Sequence, residues 1–260
     1  MDLQLRGKHA LITGASRGIG RAIAELLASE GCNMTLAARS ESSLYQAKEA
    51  LESKYGVKVG LFAADLSVPE SLTQLVSSCH GVDILVNNAG AIPAGSLLDI
   101  EDTHWREAWD LKVFGYINLT RLIYRTMISR QSGVIVNIIG LAGERPDAGY
   151  IAGSTGNAGL MAFTKALGAK APDEGVRVVG INPGLVATDR MITIMEARAQ
   201  AQLGDASRWR ELLQHLPFAR AAKPEEVAEL AAFLVSPRAS YISGTVVTID
   251  GGASARAFAY

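Results

Sequence analysis

The sequence has few of the residues that mark a metalloprotein or a disulfide-stabilised protein. Its 260 residues include two cysteines and four histidines. Cys32, Cys79 and the histidines are scattered along the chain, so no group has the spacing of metal ligands or of a disulfide framework. We therefore expect no metal site, and reduced thiols that suit the cytoplasm.

Strong net charge and long apolar runs are also missing. Acidic and basic residues nearly balance, which leaves a formal net charge of −1 and gives no electrostatic footprint for nucleic acid or an anionic membrane. No apolar run approaches the roughly 18 residues that suggest a membrane span, and the first residues lack the apolar stretch of a signal peptide. We expect a soluble, cytoplasmic protein with no nucleic-acid or membrane partner.

Short apolar runs alternate with longer helical patterns along the chain. Strands are predicted at 9–13, 33–37, 58–63, 83–86, 133–139, 177–181 and 245–249, and helices near 18–30, 41–54, 69–79, 101–130, 151–170 and 224–235. Several runs are continuously apolar, as in strands covered on both faces. The pattern predicts one α/β domain over 1–260, a doubly wound (Rossmann), mostly parallel seven-stranded sheet with helices on both faces. Ligands of such sheets bind beyond the carboxyl ends of the strands.

The first predicted strand runs into a glycine-rich turn that opens a helix. The turn reads Gly14-Ala15-Ser16-Arg17-Gly18-Ile19-Gly20. Its glycines permit a tight turn and close approach of a pyrophosphate, and the helix start supplies free N–H groups. The predicted contacts are Gly14, Ser16, Arg17, Gly18, Ile19 and Gly20. No Lys-Ser/Thr pair follows, which disfavours a P-loop NTPase; a purely structural turn is the alternative interpretation.

The residues after the second predicted strand indicate which dinucleotide binds. An acidic residue here would accept hydrogen bonds from the ribose 2′-hydroxyl of NAD, but the chain has Ala38 and Arg39. An arginine, with Arg17 nearby, suits a 2′-phosphate. The sequence therefore favours NADP(H) over NAD(H). The alternative is that Arg39 is a solvated loop cation.

Several motifs together resemble those of the short-chain dehydrogenase/reductase family. They are Thr13–Gly20, Asp65-Leu66, Asn87-Asn88-Ala89-Gly90, Asn182-Pro183-Gly184…Thr188, and Tyr241-Ile242-Ser243-Gly244…Asp250-Gly251-Gly252. The resemblance implies that Asp65 and Leu66 hold the adenine and that Asn88, Ala89 and Gly90 flank the adenosine ribose. It implies that Pro183, Gly184, Val186 and Thr188 hold the nicotinamide end. It also implies a homodimer or homotetramer.

The sequence departs from this family at the positions of its chemistry. Members usually carry a Ser, a Tyr, a Lys four residues after the Tyr, and an upstream Asn. Aligned on flanking residues, these positions hold Gly140, Gly153, Asn157 and Lys112. A glycine has no proton to transfer, so the family mechanism does not carry over directly. Tyr150 is the nearest phenol; a loop tyrosine that covers the pocket is the alternative.

Two further expectations follow from these substitutions. Lys and Asn are exchanged between positions 112 and 157, so an ammonium and an amide could both meet the ribose if these side chains face each other. Gly153, Gly156 and Gly159 recur every three residues in a predicted helix, at a cost of about 1 kcal/mol each. This spacing predicts close approach by a substrate or a partner helix, unless the helix begins only near Ala158.

The stretch near 190–216 is longer than a simple connection and resembles the family's variable substrate lid. It contains Met191, Met195, Leu203 and Trp209, which suggests a sizeable, partly hydrophobic small-molecule substrate. The sequence predicts an NADP(H)-dependent oxidoreductase that acts on a carbonyl or alcohol with a non-standard proton donor. A dinucleotide-binding protein without turnover, either a sensor or a non-catalytic oligomer subunit, is the alternative.

Overall fold

Seven strands form one sheet in the computed structural model, which describes residues 1–256. The strands are β1 (His9–Thr13), β2 (Asn33–Ala38), β3 (Val59–Ala63), β4 (Ile84–Asn87), β5 (Gly133–Ile138), β6 (Val176–Pro183) and β7 (Val246–Ile249). Their order is β3-β2-β1-β4-β5-β6-β7, and every pair is parallel. The predicted doubly wound α/β fold is confirmed. Residues 257–260 of the predicted domain lie outside the described residues.

The helices cover both faces of this sheet. They are α1 (Gly18–Ser29), α2 (Glu41–Tyr55), α3 (Pro69–Ser78), α4 (Asp102–Trp109), α5 (Gly115–Ser129), α6 (Ile151–Lys170), α7 (Asp189–Leu203) and α8 (Pro224–Val235). Successive strand residues point to opposite faces, so Ile12 of β1 packs under α1, α2 and α8 while Leu11 packs under α3 and α5. This two-sided burial explains the continuously apolar runs.

The helix predicted over 101–130 is interrupted, and this part of the prediction is wrong. A π-helical turn, Asp110–Phe114, separates α4 from α5. The apolar periodicity continues through the turn, so the sequence pattern does not reveal it. Gly115 follows the turn, and a Cβ there would lie 3.2 Å from the carbonyl oxygen of Asp110. Such turns often occur at functional sites, and this one carries Lys112.

Residues 190–216 contain α7 and a 3₁₀-helix, Ala206–Leu213, which pack on each other. Met191, Met195 and Trp209 are buried together in one cluster, and Leu203 packs against it. Their apolar character is therefore explained by the core of this segment itself. It gives no evidence about a substrate, contrary to the sequence-based argument.

The sixth strand of the sheet, β6, is longer than predicted. β6 continues through Asn182 and Pro183, which pair with Thr248 and Ile249 of β7. Asn and Pro are depleted in strands, which is why the predicted strand ended at residue 181.

Within residues 1–256, no helix combines the length and the apolarity that crossing a membrane requires.

Candidate functional site

A cleft of about 970 Å³ lies at the carboxyl ends of the strands. It is centred where the strand order reverses between β1 and β4, the usual ligand position in doubly wound sheets. The predicted binding residues that line it are Gly14, Ser16, Arg17, Gly18, Ile19, Arg39, Leu66, Asn88, Ala89, Gly90, Pro183, Gly184, Val186 and Thr188. Gly20 and Asp65 are not among its lining residues. The structure thus brings together most of the residues that the motifs singled out.

Gly20 shapes the glycine-rich turn from behind. A Cβ at Gly20 would lie 2.4 Å from the Asn88 Nδ2 atom and 2.4 Å from the carbonyl oxygen of Gly14. The same Asn88 amide donates to the carbonyl oxygens of Thr13, at 3.0 Å, and Gly14, at 3.2 Å. Asn88 therefore fastens the turn to the end of β4, and only glycine fits at position 20. This packing role corrects the expectation that Gly20 faces the ligand.

The start of α1 differs from the starts of the other helices that border the cleft. No side chain caps it, and its first turn has no acidic residue. By contrast, Ser40 caps α2 and Thr188 caps α7. The first amides of a helix have no partner within the helix, and the positive end of the helix dipole favours an anion. Arg17 adds a positive charge at the same edge of the cleft.

Arg39 and Asp65 follow β2 and β3 but are placed differently. Arg39 is exposed and lines the cleft. The Asp65 Oδ1 atom accepts hydrogen bonds from the backbone N–H and the hydroxyl of Ser67, and these bonds, chiefly the backbone one, help to lower the pKa of this carboxyl group. That oxygen closes a local turn, so the structure gives it no place at the cleft. Ser40 and Ser43, which the sequence analysis did not single out, line the cleft instead. Their position just after β2 could have identified them, since the carboxyl ends of the strands form the cleft.

Three successive carbonyl groups at the end of β5 each accept a hydrogen bond from a side chain. The Tyr116 hydroxyl donates to Ile138 at 3.0 Å, and the Lys112 ammonium donates to Ile139 at 2.6 Å. The Asn157 amide donates to Gly140 at 3.4 Å. Lys112 and Asn157 therefore lie side by side, from the π-helical turn and from α6, at one strand end. The sequence-based idea that these two side chains meet is consistent with this arrangement.

Lys112 runs along the floor of the cleft. Its Cδ atom lies 2.8 Å from the place of a Cβ on Gly90, so the absence of a side chain at position 90 makes room for it. Burial lowers the pKa of the Lys112 ammonium to about 8, because taking a cation out of water disfavours the charged form. The side chain lines the cleft and so can meet a ligand.

Asn157 and Gly140 form one local unit. The Asn157 side chain is 2% exposed, and its Oδ1 atom is buried without a hydrogen-bond partner. Gly140 has a φ of +132°, a conformation that side chains rarely adopt, and the Asn157 Nδ2 atom lies 3.0 Å from the place of a Cβ there. A serine at position 140 would be strained in this backbone. An unpaired buried acceptor is costly, so a donor from a ligand would satisfy Asn157.

The ring of Tyr150 occupies the space of a side chain at position 153. A Cβ on Gly153 would lie 2.0 Å from both Cε1 and Cζ of this ring. Tyr150 packs against Ile92, Ile100 and Trp109, and it is not among the cleft-lining residues. Burial raises the pKa of its hydroxyl group. The Tyr150 ring therefore fills the space beside Gly153 and lies against an apolar cluster.

The repeated glycines of α6 are explained within the chain. The helix begins at Ile151, so the interpretation that it starts near Ala158 is wrong. Tyr150 approaches Gly153, and Val113 and Trp109 approach Gly156, at 3.0 Å and 3.2 Å from the place of its Cβ. No heavy atom lies within 4 Å of that place on Gly159. The close approach at Gly153 comes from the residue just before the helix, and the close approach at Gly156 comes from the π-helical turn and α4.

A buried polar ladder lies beneath the site. The Asn87 amide donates to Thr120 on α5 at 3.0 Å and to Asn137 on β5 at 2.9 Å. The Asn137 amide donates to the Thr164 hydroxyl on α6 at 2.9 Å. All four residues are at most 1% exposed, and a satisfied buried network fixes the relative positions of its elements.

Sequence reasoning did not single out the charged residues at the far end of the cleft. Asp189 and Arg190, at the start of α7, both line it. The positive charge of Arg190 acts on Tyr150, where it partly opposes the effect of burial on the pKa of the phenol. Their position just after Thr188, a predicted binding residue, could have identified them from the sequence. In residues 1–256, no cluster of three potential metal ligands occurs.

Comparisons with known proteins agree with this architecture. The short chain dehydrogenase family model matches residues 8–199. The 3-oxoacyl-[acyl-carrier-protein] reductase FabG of Aquifex aeolicus (strain VF5) is 35% identical over 256 residues, which cover 97% of this chain and 99% of that protein.

Two solved structures extend the likeness to three dimensions. L-Sorbose reductase from Gluconobacter frateurii, complexed with NADPH and L-sorbose, has a TM-score of 0.93 and 35% identity, and covers 99% of this chain and 100% of its own. A 7α-hydroxysteroid dehydrogenase complexed with NADH and 7-oxo glycochenodeoxycholic acid has a TM-score of 0.86 and 28% identity, and covers 96% of each chain. The chain therefore belongs to the short chain dehydrogenase family of oxidoreductases.

Proposed function

We propose that the protein is an NADP(H)-dependent oxidoreductase that interconverts a carbonyl group and an alcohol with a non-standard proton donor. The observation that carries the coenzyme assignment is the cleft at the strand-order reversal, with an uncapped helix start and Arg39 along one edge. The finer claim concerns four positions. Lys112, Gly140, Gly153 and Asn157 replace the Asn, Ser, Tyr and Lys that the family usually uses.

The adenosine half of the cleft fits an extended dinucleotide. The amides of α1, with Ser16 and Arg17, would bind the pyrophosphate. Arg39 would bind a 2′-phosphate through a charge-assisted hydrogen bond, and Ser40 could donate another. Leu66, Asn88, Ala89 and Gly90 would flank the adenosine, whereas Asp65 supports the turn after β3 through Ser67.

The other half of the cleft fits the nicotinamide end. Pro183, Gly184, Val186 and Thr188 line it. The unpaired Oδ1 atom of Asn157 lies next to the Gly140 edge of the cleft and suits a hydroxyl donor such as a ribose. The reduced nicotinamide would supply a hydride when bound. This chain's residues would hold the carbonyl, exclude water and deliver a proton, with Tyr150, Lys112 and Asn157 as candidates.

The substrate is proposed to be a small molecule that enters between the cleft and the lid segment, residues 190–216. The apolar part of its site comes from Ala91, Leu111 and Ile139, and Arg190 adds a charge. The relatives act on chemically different ketones, so they favour a carbonyl without naming one. The exposed Gly159 face of α6, which has space for a neighbour, supports a homodimer or homotetramer, which light scattering would measure.

Titration and turnover together test this function. Fluorescence titration should show tighter binding of NADPH than of NADH. Purified protein should then oxidise NADPH with at least one member of a panel of hydroxyketones, β-keto thioesters, cyclic ketones and aldehydes. Failure to bind either coenzyme would refute the proposal. NADPH binding without oxidation across the panel would instead favour a binding protein without turnover.

A further inference from the structure

We infer that Lys112 is the general acid that protonates the substrate oxygen in the reductive direction, in place of a tyrosine. This inference rests on the proposed function, since it assigns a proton donor to that reaction. Its basis is the set of groups that reach the cleft floor between the ends of β4 and β5.

The two tyrosines near this floor are poorly placed for the task. Tyr116 is 2% exposed, and its hydroxyl already donates to the Ile138 carbonyl. The Tyr150 ring lies against Gly153 and the cluster that includes Trp109. Neither tyrosine lines the cleft. A proton donor must come within hydrogen-bond reach of the reacting oxygen, and these side chains point elsewhere.

Lys112 meets this requirement among the residues that line the cleft. Its ammonium donates to the strand-end carbonyl of Ile139, and Lys112, Ile139 and Gly140 all line the cleft that would hold the substrate oxygen. Arginine guanidinium groups and serine or threonine hydroxyls do not release protons near neutral pH. Asp189 lies at the start of α7, beyond the end of β6 and away from the β5 end. Lys112 is therefore the lining residue that carries a releasable proton on the cleft floor.

In the reductive direction, Lys112 would supply the proton that accompanies the hydride. The carbonyl carbon accepts the hydride, and the electron pair of the C=O π bond moves to oxygen. That oxygen takes a proton from the Lys112 ammonium, which gives the alcohol, the oxidised coenzyme and a neutral amine. Solvent returns a proton to the amine before the next turnover. The positive charge also stabilises the developing oxyanion before proton transfer.

The pH dependence follows from the groups around Lys112. The charged residues that line the cleft with Lys112 are Arg17, Arg39, Asp189 and Arg190. Asp110 belongs to its own turn, and the Tyr116 hydroxyl lies at the neighbouring Ile138 carbonyl. None of them is a cause of the lowered pKa of about 8, which comes from burial alone. Reduction needs the ammonium, so its rate should be full below pH 8 and fall above it. Oxidation needs the amine, so its rate should rise over the same range.

The test uses the panel compound that wild-type protein reduces most efficiently with NADPH. Lys112→Met should lower kcat at saturating NADPH by about 10²- to 10⁴-fold, the range of general acid catalysis, and by more than it changes the Kd for NADPH. Lys112→Arg keeps the charge that stabilises the oxyanion but holds its proton, so it should be faster than Lys112→Met and still far slower than wild type. Lys58→Met is the control, because Lys58 precedes the edge strand β3, at the amino ends of the strands and away from the cleft.

Two further measurements decide between the tyrosine and the lysine. Tyr150→Phe should keep kcat within a few-fold of wild type and retain the decline above pH 8. The ζ-¹⁵N signal of Lys112, assigned by its loss in Lys112→Arg, should titrate near pH 8 in wild-type protein, and this measurement does not require Lys112→Met to fold. A midpoint above 10, full activity in Lys112→Arg, or a larger loss in Tyr150→Phe would overturn the inference. If wild-type protein does not oxidise NADPH with any compound of the panel, the proposed function itself fails. If wild type turns over and Lys112→Met turns over equally fast, this inference alone fails.

Discussion

The two halves of the cleft differ in the kind of groups that line them. The adenosine half, at the ends of β1 to β3, has the glycine-rich turn, the uncapped α1 and Arg39 where the motifs predict them. The nicotinamide half, at the ends of β4 to β6, has Lys112, Gly140 and Asn157 in a new arrangement. Under the proposed function, coenzyme recognition would depend mainly on backbone groups and Arg39, and proton transfer on side chains of the other half, so the two would be separable.

The largest expected effect breaks the adenosine half. Arg39→Asp removes a charged donor and adds a repulsive charge, so the Kd for NADPH should rise about 10- to 100-fold, since a hydrogen bond to a charged group contributes about 1.5–3 kcal/mol. Binding of NADH should be unchanged or tighter, because the new carboxylate can accept from a ribose hydroxyl. Fluorescence titration with both coenzymes measures this.

A matched variant keeps that result interpretable. Arg6→Asp makes the same charge change before β1, at the amino ends of the strands and so on the side of the sheet away from the cleft. It should leave both affinities as in wild type. Equal losses in the two variants would mean that net charge, and not a contact at Arg39, governs the affinity.

The next effect concerns the packing of the nicotinamide half. Gly153→Ala places a methyl group against the Tyr150 ring, which lies 2.0 Å from its position. We expect the free energy of unfolding to fall by about 1–3 kcal/mol, the usual cost of overpacking. The same substitution in a Tyr150→Ala background should cost much less, because the ring is gone. Urea unfolding of the four proteins in this double-mutant cycle measures the coupling.

Additive costs at these two positions would contradict the assignment of Tyr150 to that space. As a control, Gly159→Ala adds a methyl group on the same helix where no heavy atom lies within 4 Å. It should be neutral or stabilising, because alanine has the higher helix propensity.

The smallest effect is a pH dependence of stability. The pKa of Lys112 is about 8 in the folded protein, against 10.5 without burial. Between these values the unfolded chain binds more protons, so the free energy of unfolding rises with pH. Wild type should therefore gain stability relative to Lys112→Met from pH 8 to 10.5, with little relative change below pH 8. Thermal unfolding at a series of pH values tests this, and a difference that stays constant would contradict it.

The sequence predicted the sheet well because its signals are local. Each strand is a short apolar run, and the predicted and observed bounds differ by at most two residues. It failed at the π-helical turn, Asp110–Phe114, because one extra backbone residue per turn leaves the apolar periodicity nearly unchanged. It also did not identify α7 as a helix, although the buried residues Met191, Met195 and Ala199 recur every four positions. These apolar residues were interpreted as part of a substrate lid.

The candidate site was predictable where it depends on position along a strand. Loop residues after β1, β4 and β6 line the cleft, as the carboxyl-end rule predicts. The contact of Tyr150 with Gly153, the hydrogen bonds of Lys112 and Asn157 to the β5 end, and the unpaired Asn157 oxygen depend on tertiary packing. No residue pattern encodes these contacts, so the sequence could name candidate positions but not which of them line the cleft.

The ladder from Asn87 to Thr164 has a consequence for the history and redesign of this enzyme. It joins β4, β5, α5 and α6 through groups that never meet the cleft. Amino-acid substitutions at cleft-lining positions should therefore leave the hydrogen bonds of this ladder intact. A library that varies positions 112, 140, 150, 153 and 157 together, with the ladder kept, should yield folded variants from which new chemistries can be selected.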